Sequence, residues 1–347
     1  MKMDRIEPGA MQSLGAITDK IIGGLAGEIS WDGKTIKENG VYANIPMDDY
    51  HGNVHLLNGP SVSKSALKHI LPVHGGSPKA FWGRWKWNPG HVVPKTSPAL
   101  EFGKAVHFLL LGEGTFRDHY AIRPETYVDE KGVEKPWSGN SNKCKQWLAD
   151  AASKGLTVLT DDQLKTINRM AEDAADYPEV QQGILNGRAE RSMLYRDPET
   201  GIWLRSRPDV IPAADGVFCD LKSTSSMDED FLQRQIFDCG YYLQAAMNRM
   251  VCRGLGIPFE TFALLYVLND DVPDTAHVEI DTFTMDRGEA CVRWALRKIR
   301  ECLDAGYWPG REPFNRGERP ISMKPWAADN IDNFLNRQAQ IAEQEAA

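Results

Sequence analysis

"RSRPDVIPAADGVFCDLKS", residues 205–223, sets Asp209 and Asp220 eleven positions apart and puts Lys222 two beyond the second acid. Buried acids and lysines are costly unless they are paired or bound to metal. Side chains in a strand alternate between faces. Phe218, Asp220 and Lys222 therefore point one way, and Val217, Cys219 and Leu221 the other. By the same rule Arg205, Arg207 and Asp209 share a face of the preceding strand. "PAADG" (212–216) signals a hairpin turn, and pairing of the two strands brings Asp209 to within a few ångströms of Asp220. Two carboxylates that close repel each other unless a cation lies between them. Mg²⁺, or Mn²⁺, suits such a site, with the Leu221 carbonyl as a third oxygen ligand and Lys222 supplying positive charge alongside. The bland alternative is a hairpin ion pair with Asp209 and Arg207 in water, since D-x-K tripeptides are common.

The chain has 347 residues, 42% hydrophobic and 25% charged, enough for one large domain or two modest ones. No apolar run reaches the length of a bilayer span, and the N-terminus lacks the apolar core of a secretory signal. Six scattered cysteines without a CxxC pair read as reduced thiols of a cytoplasmic protein, in a bacterial or phage-infected cell. A net charge of −8 argues against coating nucleic acid by bulk electrostatics, but permits a local basic groove. Residues 60–107 carry Lys64, Lys68, Lys79, Arg84, Lys86, Lys95 and Lys104 against the single acid Glu101. Phe81, Trp82, Trp85 and Trp87 interleave with them, a mixture suited to phosphates and base stacking. A surface loop with a tryptophan anchor explains the same stretch equally well.

Residues 1–55 read as an extension with some local structure. Helices are expected at 61–71, 97–114, 142–154, 160–175, 228–254 and 286–306, with Ser97 capping, Pro98 at the first position and Gly112 or Gly114 ending the second. Residues 72–98, rich in Pro and Gly, read as a loop. Strands are expected at 189–196, 202–211, 216–223, 259–269 and 276–283. This order predicts an α/β core, a central mixed sheet flanked by helices. On the long helix, Leu232, Ile236, Leu243, Met247 and Met250 form an apolar stripe beside Gln233, Phe237, Tyr241, Gln244 and Asn248.

"RPDVI…FCDLKST" resembles the active-site hairpin of the PD-(D/E)XK nuclease superfamily, which has a restriction-endonuclease-like core. More narrowly it is similar to the RecE-type (exonuclease VIII-like) branch of phages and prophages, related to RecB and lambda exonuclease. "SVSKSALKHI" with "SPKAFW", "FGKAVHFLLLGEG", "RAERSMLYRDPETGIWLRSRPDVI", "FLQRQIFDCGYYLQAAMNRM" and "AGYWPG" resemble its other landmarks, in order, over about 58–312. The resemblance implies a nuclease domain at 56–312, between the 1–55 extension and a polar tail at 313–347. It implies Asp209 and Asp220 as metal ligands, Lys222 as catalytic lysine, His107 and Glu190 as further metal-site residues, and Gln244 as a contact to lysine, water or DNA. His107, on an apolar helix, is by its neighbours alone more often a core histidine. Lys64, Arg84, Lys86, Arg205, Arg207 and Tyr241 are the DNA-contact candidates. Related chains often carry Tyr four residues after the Gln, where this one has Asn248. The implied activity is Mg²⁺-dependent exonucleolytic hydrolysis of one strand of linear duplex DNA, 5′ to 3′. The implied setting is recombination, with a homo-oligomeric ring (trimer or tetramer) and a single-strand annealing protein as partner. A restriction-like or structure-specific endonuclease, and a non-catalytic DNA-end-binding module, are the alternatives.

Overall fold

The computed structural model describes residues 27–93, 97–112, 116–189, 191–213, 216–311 and 322–346. In chain order the first elements are β1 (Glu28–Ser30), β2 (Gly40–Ala43), α1 (Met47–Gly52), β3 (Ser61–Val62), α2 (Lys64–Leu67), α3 (Pro78–Trp82) and α4 (Pro98–Leu111). They are followed by α5 (Phe116–His119), β4 (Tyr120–Ile122), β5 (Thr126–Val128), β6 (Glu134–Pro136), α6 (Asn142–Ser153), β7 (Thr157–Leu159), α7 (Asp161–Asp176) and α8 (Pro178–Gln181). Next come β8 (Gly187–Ala189), β9 (Ser192–Arg196), β10 (Trp203–Ser206), β11 (Val210–Pro212), β12 (Val217–Thr224), α9 (Glu229–Asp238) and α10 (Tyr241–Leu255). The last are β13 (Thr261–Leu268), β14 (Thr275–Glu279), α11 (Thr282–Ala305) and α12 (Pro325–Ala346). The described residues up to Trp308 form one compact unit; the second unit contains α12. No helix among the described residues is long and apolar enough to cross a membrane.

The central sheet is mixed: β12 pairs parallel with β13, which pairs antiparallel with β14. Its strands are apolar on both faces, as helix-covered strands must be. Phe218, Phe262, Leu264 and Tyr266 pack with Leu243, Val251, Val292 and Leu296 of α10 and α11. Cys219, Leu221, Ala263, Leu265 and Val267 pack with Val106, Leu110, Ile167 and Met170 of α4 and α7. The mixed sheet between helices expected from the sequence is therefore present. A second sheet, ordered β1-β2-β9-β10-β3, draws in the 1–55 segment: β2 pairs antiparallel with β9, and β1 pairs parallel with β2. Beneath it Ile36, Tyr42, Ile45, Tyr50, Leu56 and Leu57 pack on Leu194 and Trp203.

Local chemistry explains the helix ends. In α4, Ser97 Oγ accepts from the Leu100 N–H, Pro98 takes the first position, and Gly112 closes the helix at φ 73°. Three expectations need correction. The strand expected at 202–211 breaks at Arg207–Pro208–Asp209 into β10 and β11, because Pro208 has no N–H to give to a ladder. As a result β11 and β12 do not form a hairpin ladder: β11 pairs antiparallel with β8 and β12 with β13. The helix expected at 228–254 is two helices, because Gly240 adopts φ 68° between α9 and α10. Lastly, 72–98 is more ordered than a loop. It holds a 3₁₀ turn at Pro72–His74 and α3, capped by Ser77 Oγ on the Ala80 N–H.

Phe81 and Trp85 are buried in the core, where the Trp85 indole donates to the Ser61 carbonyl at 2.8 Å. Trp82 stacks on Trp308 with ring centroids 4.7 Å apart. The anchor reading of these tryptophans thus outweighs a base-stacking role.

Candidate active site

Asp209 lies in the bend before β11, and Asp220 and Lys222 lie on β12. Among the described residues β12 pairs only with β13, so its other edge is out of ladder bonding there. The Leu221 N–H on that edge donates to Asp209 Oδ2 at 2.6 Å. The N–H and C=O of one strand residue face the same side, so the Leu221 carbonyl also lies along this edge. His107, from α4, brings Nδ1 to 3.6 Å from the same Asp209 oxygen. Gly103, one turn earlier on α4, would put a Cβ 3.7 Å from Ser223 Oγ, so the helix rides close to the strand. Asp209 is thus held to β12 at Leu221, the residue between Asp220 and Lys222, by a side-chain-to-backbone bond in place of a shared ladder.

Asp220 is 2% exposed. Its Oδ2 receives the Lys222 ammonium in a close ion pair, and its Oδ1 accepts from Gln244 Nε2 at 2.5 Å. Gln244 reaches it from the first turn of α10, which the break at Gly240 aims at the sheet. Gln244 Oε1, Asn248 Nδ2 and Tyr266 Oη are buried without a hydrogen-bond partner. Tyr266 is the β13 neighbour of Lys222. Among the candidates, then, Asp209, Asp220, Leu221, Lys222, Gln244 and His107 come together. Glu190 lies outside the described residues.

The electrostatics follow from this packing. Burial raises the Asp209 carboxyl, but the His107 charge and hydrogen bond, Lys222 and the Leu221 amide outweigh it and hold the group below the usual carboxylate value. Burial draws the Lys222 amine below the ordinary lysine value, against the pull of Asp209. Lys64, from α2, is brought down to about 7 by burial and by the repulsion of Lys222.

The remaining DNA-contact candidates divide into two groups. Arg205 donates to the Tyr50 carbonyl at 2.6 Å and Arg207 to the Ile45 carbonyl at 3.0 Å, and both guanidinium carbons lie 5.3 Å from the Tyr50 ring. These two arginines are structural as well as cationic. With Lys86 and Lys104 they surround His51, which crowding and then those four charges push down to about 4. Arg84 is exposed and donates to the Ala80 carbonyl of the helix just before it. Tyr241 instead packs inward, against Lys64 and Lys222. Cys239, whose carbonyl accepts from Lys64 at 3.4 Å, and Tyr266 were not singled out from the sequence. A tyrosine within the apolar run "TFALLYVL" was the available signal for the latter.

Among the described residues, no three His, Cys, Asp or Glu side chains gather closely enough to hold a metal by themselves. The donors present are nevertheless of the right chemistry for a small hard cation. Two carboxylates, one held below its usual pKa, and an edge carbonyl are oxygen donors, and Mg²⁺ takes one or two carboxylates and keeps water for the rest.

A family model described as a PDDEXK-like domain of unknown function (DUF3799) matches residues 63–314. Among solved structures, a candidate exonuclease from Eubacterium rectale is similar at TM-score 0.52 and 14% identity, over 82% of this chain and 96% of that one. That likeness speaks to fold. A phage-related exonuclease from Haemophilus somnus 129PT scores 0.27 at 12% identity, over 48% of this chain and 85% of its own. An alkaline exonuclease from Laribacter hongkongensis scores 0.24 at 14%, over 49% and 87%. At those scores neither carries weight in the argument. No curated protein sequence matches.

Proposed function

The chain belongs to the PDDEXK-like domain family, and on that premise we propose that it is a nuclease hydrolysing one strand of linear duplex DNA from an end, 5′ to 3′, with Mg²⁺ or Mn²⁺. The observation that carries this reading is the convergence on β12: Asp209 on the Leu221 N–H, and Lys222 and Gln244 together on Asp220. Asp209, Asp220 and the Leu221 carbonyl would hold the metal. When bound, such an ion lowers the pKa of water and offsets phosphate charge.

The chain's own groups do the rest. His107 orients Asp209, and the Leu221 amide fixes its carboxylate. Lys222, tethered at Asp220, keeps an ammonium group where negative charge develops on the phosphate; such a preorganised donor contributes about 3–4 kcal/mol in enzymes where one has been removed. Gln244 donates to Asp220 and leaves Oε1 as an acceptor for a proton of the attacking water. The cations around His51, with Arg84, offer a track for the phosphate backbone. On this reading 56–312 is the catalytic domain, the working form is a trimeric or tetrameric ring, and an annealing protein takes over the exposed strand.

Digestion of linear duplexes labelled at either 5′ or 3′ ends, beside closed circles, tests it. Mg²⁺-dependent release from the 5′ label, absent in Lys222→Ala and Asp220→Ala, is expected. Undiminished digestion by either variant refutes the site, and cutting of closed circles replaces the exonuclease with the restriction-like endonuclease.

A further inference from the structure

Tyr241 is the first residue of α10, directly after the left-handed Gly240. Two ammonium groups from distant parts of the chain lie over its ring: Lys64 Nζ at 4.8 Å and Lys222 Nζ at 5.1 Å from the centroid. Like charges side by side in a buried place repel. Lys222 has Asp220 to offset its charge. Lys64 has only the Cys239 carbonyl, at 3.4 Å, among the described residues. What the two ammonium groups share is one aromatic ring, whose negative π-system attracts cations most strongly where water is excluded.

We propose that Tyr241 is a positioning residue for the reaction: the face of its ring, and not its hydroxyl, holds the Lys222 ammonium beside Asp220, with Lys64 on the same ring. A lysine stem is long and flexible, and a second contact on the ammonium narrows where it rests. The break at Gly240 gives the arrangement its geometry. It lets one short segment supply both Tyr241, under Lys222, and Gln244, on the other oxygen of the same aspartate. The family's expected tyrosine position is Asn248, which is buried and accepts from the Cys252 thiol, so Tyr241 is not a displaced copy of that residue. This inference rests on the proposed role of Lys222.

The test uses the full-length protein with Mg²⁺ and end-labelled linear duplex, measuring kcat and KM separately. Tyr241→Phe keeps kcat within about twofold, since the ring face is retained. Tyr241→Leu, apolar but without a ring face, loses about tenfold in kcat at unchanged KM, the equivalent of ~1.4 kcal/mol. Because Leu can also loosen packing, a series of increasingly fluorinated phenylalanines at 241 keeps the shape and drains the ring face; kcat falls stepwise along it. A Phe variant as impaired as Leu, a fully active Leu variant, or a flat fluorine series overturns the role. Lys222→Ala separates the two levels. Full activity there overturns the reading of the site together with this role, whereas an inactive Lys222→Ala with a flat series overturns this role alone.

Discussion

Replacing Asp220 by Asn should destabilise the protein, and replacing Lys222 as well should restore it. Asp220 is 2% exposed and the Lys222 side chain 15%. Removing one member of a buried ion pair strands the other charge and costs about 3–5 kcal/mol. Lys222 has a partial escape, because burial has already drawn its amine toward the neutral form. Asp220→Asn therefore belongs at the lower end, ~3 kcal/mol, and Lys222→Met should cost a similar amount. In the double variant no charge is stranded, and the Asn carbonyl still accepts from Gln244 Nε2. Its cost should be about 1 kcal/mol against about 6 kcal/mol for the sum of the singles, a favourable coupling of about 5 kcal/mol. Urea denaturation with EDTA present, comparing midpoints at constant m, measures this. All three variants should be inactive on linear duplex. Singles that add to within ~0.5 kcal/mol of the double would refute the buried pair as the organiser of this site.

Asp209→Asn should be less stable than the parent by an amount that depends on pH. The Asp209 carboxyl lies below 3.8 in the folded protein, so its stabilisation is complete above 3.8 and disappears as pH falls through the lower folded value; denaturation in EDTA should show the gap closing only in acid, and a gap unchanged into acid contradicts the assignment. Lys86→Ala with Lys104→Ala should raise the His51 pKa from about 4 toward its ordinary value by NMR titration, and should lower the salt slope of duplex binding by about 2. An unmoved His51 would dissolve the cationic cluster. Gly187→Ala places a Cβ 2.1 Å from the Ile211 carbonyl oxygen, so β8 must separate from β11, with a loss of more than ~2 kcal/mol in thermal or urea unfolding. Wild-type stability in that variant would contradict the β8–β11 pairing.

The chemistry of the site was legible because it is local. Asp220 and Lys222 share a face through strand alternation alone, and Ser97, Pro98 and Gly112 mark α4 by capping rules. Ladder partners were not legible. The parallel partner of β12 begins at Thr261, beyond two helices, and nothing in "VFCDLKST" names it. The hairpin expectation took sequence adjacency for pairing; Pro208 was the visible warning. The turn at Gly240 was hidden because one glycine in a helical pattern is usually tolerated, and only the contact with Lys68, whose Cδ would lie 2.9 Å from an added Cβ, shows how tight that corner is. The ring beneath Lys222 depends on that turn and so was out of reach. Asp209 still reached β12, because that needed only one hydrogen bond, from the Leu221 amide.

That edge has a consequence for solubility. An unladdered strand of mostly apolar residues is a template onto which a foreign strand can dock, and natural sheets guard such rims with charge. Here the guard is Asp209, whose carboxylate occupies the Leu221 amide that an intruding strand would need. The acid assigned to the metal in the proposed mechanism thus also occupies a backbone donor that strand addition at this edge would require.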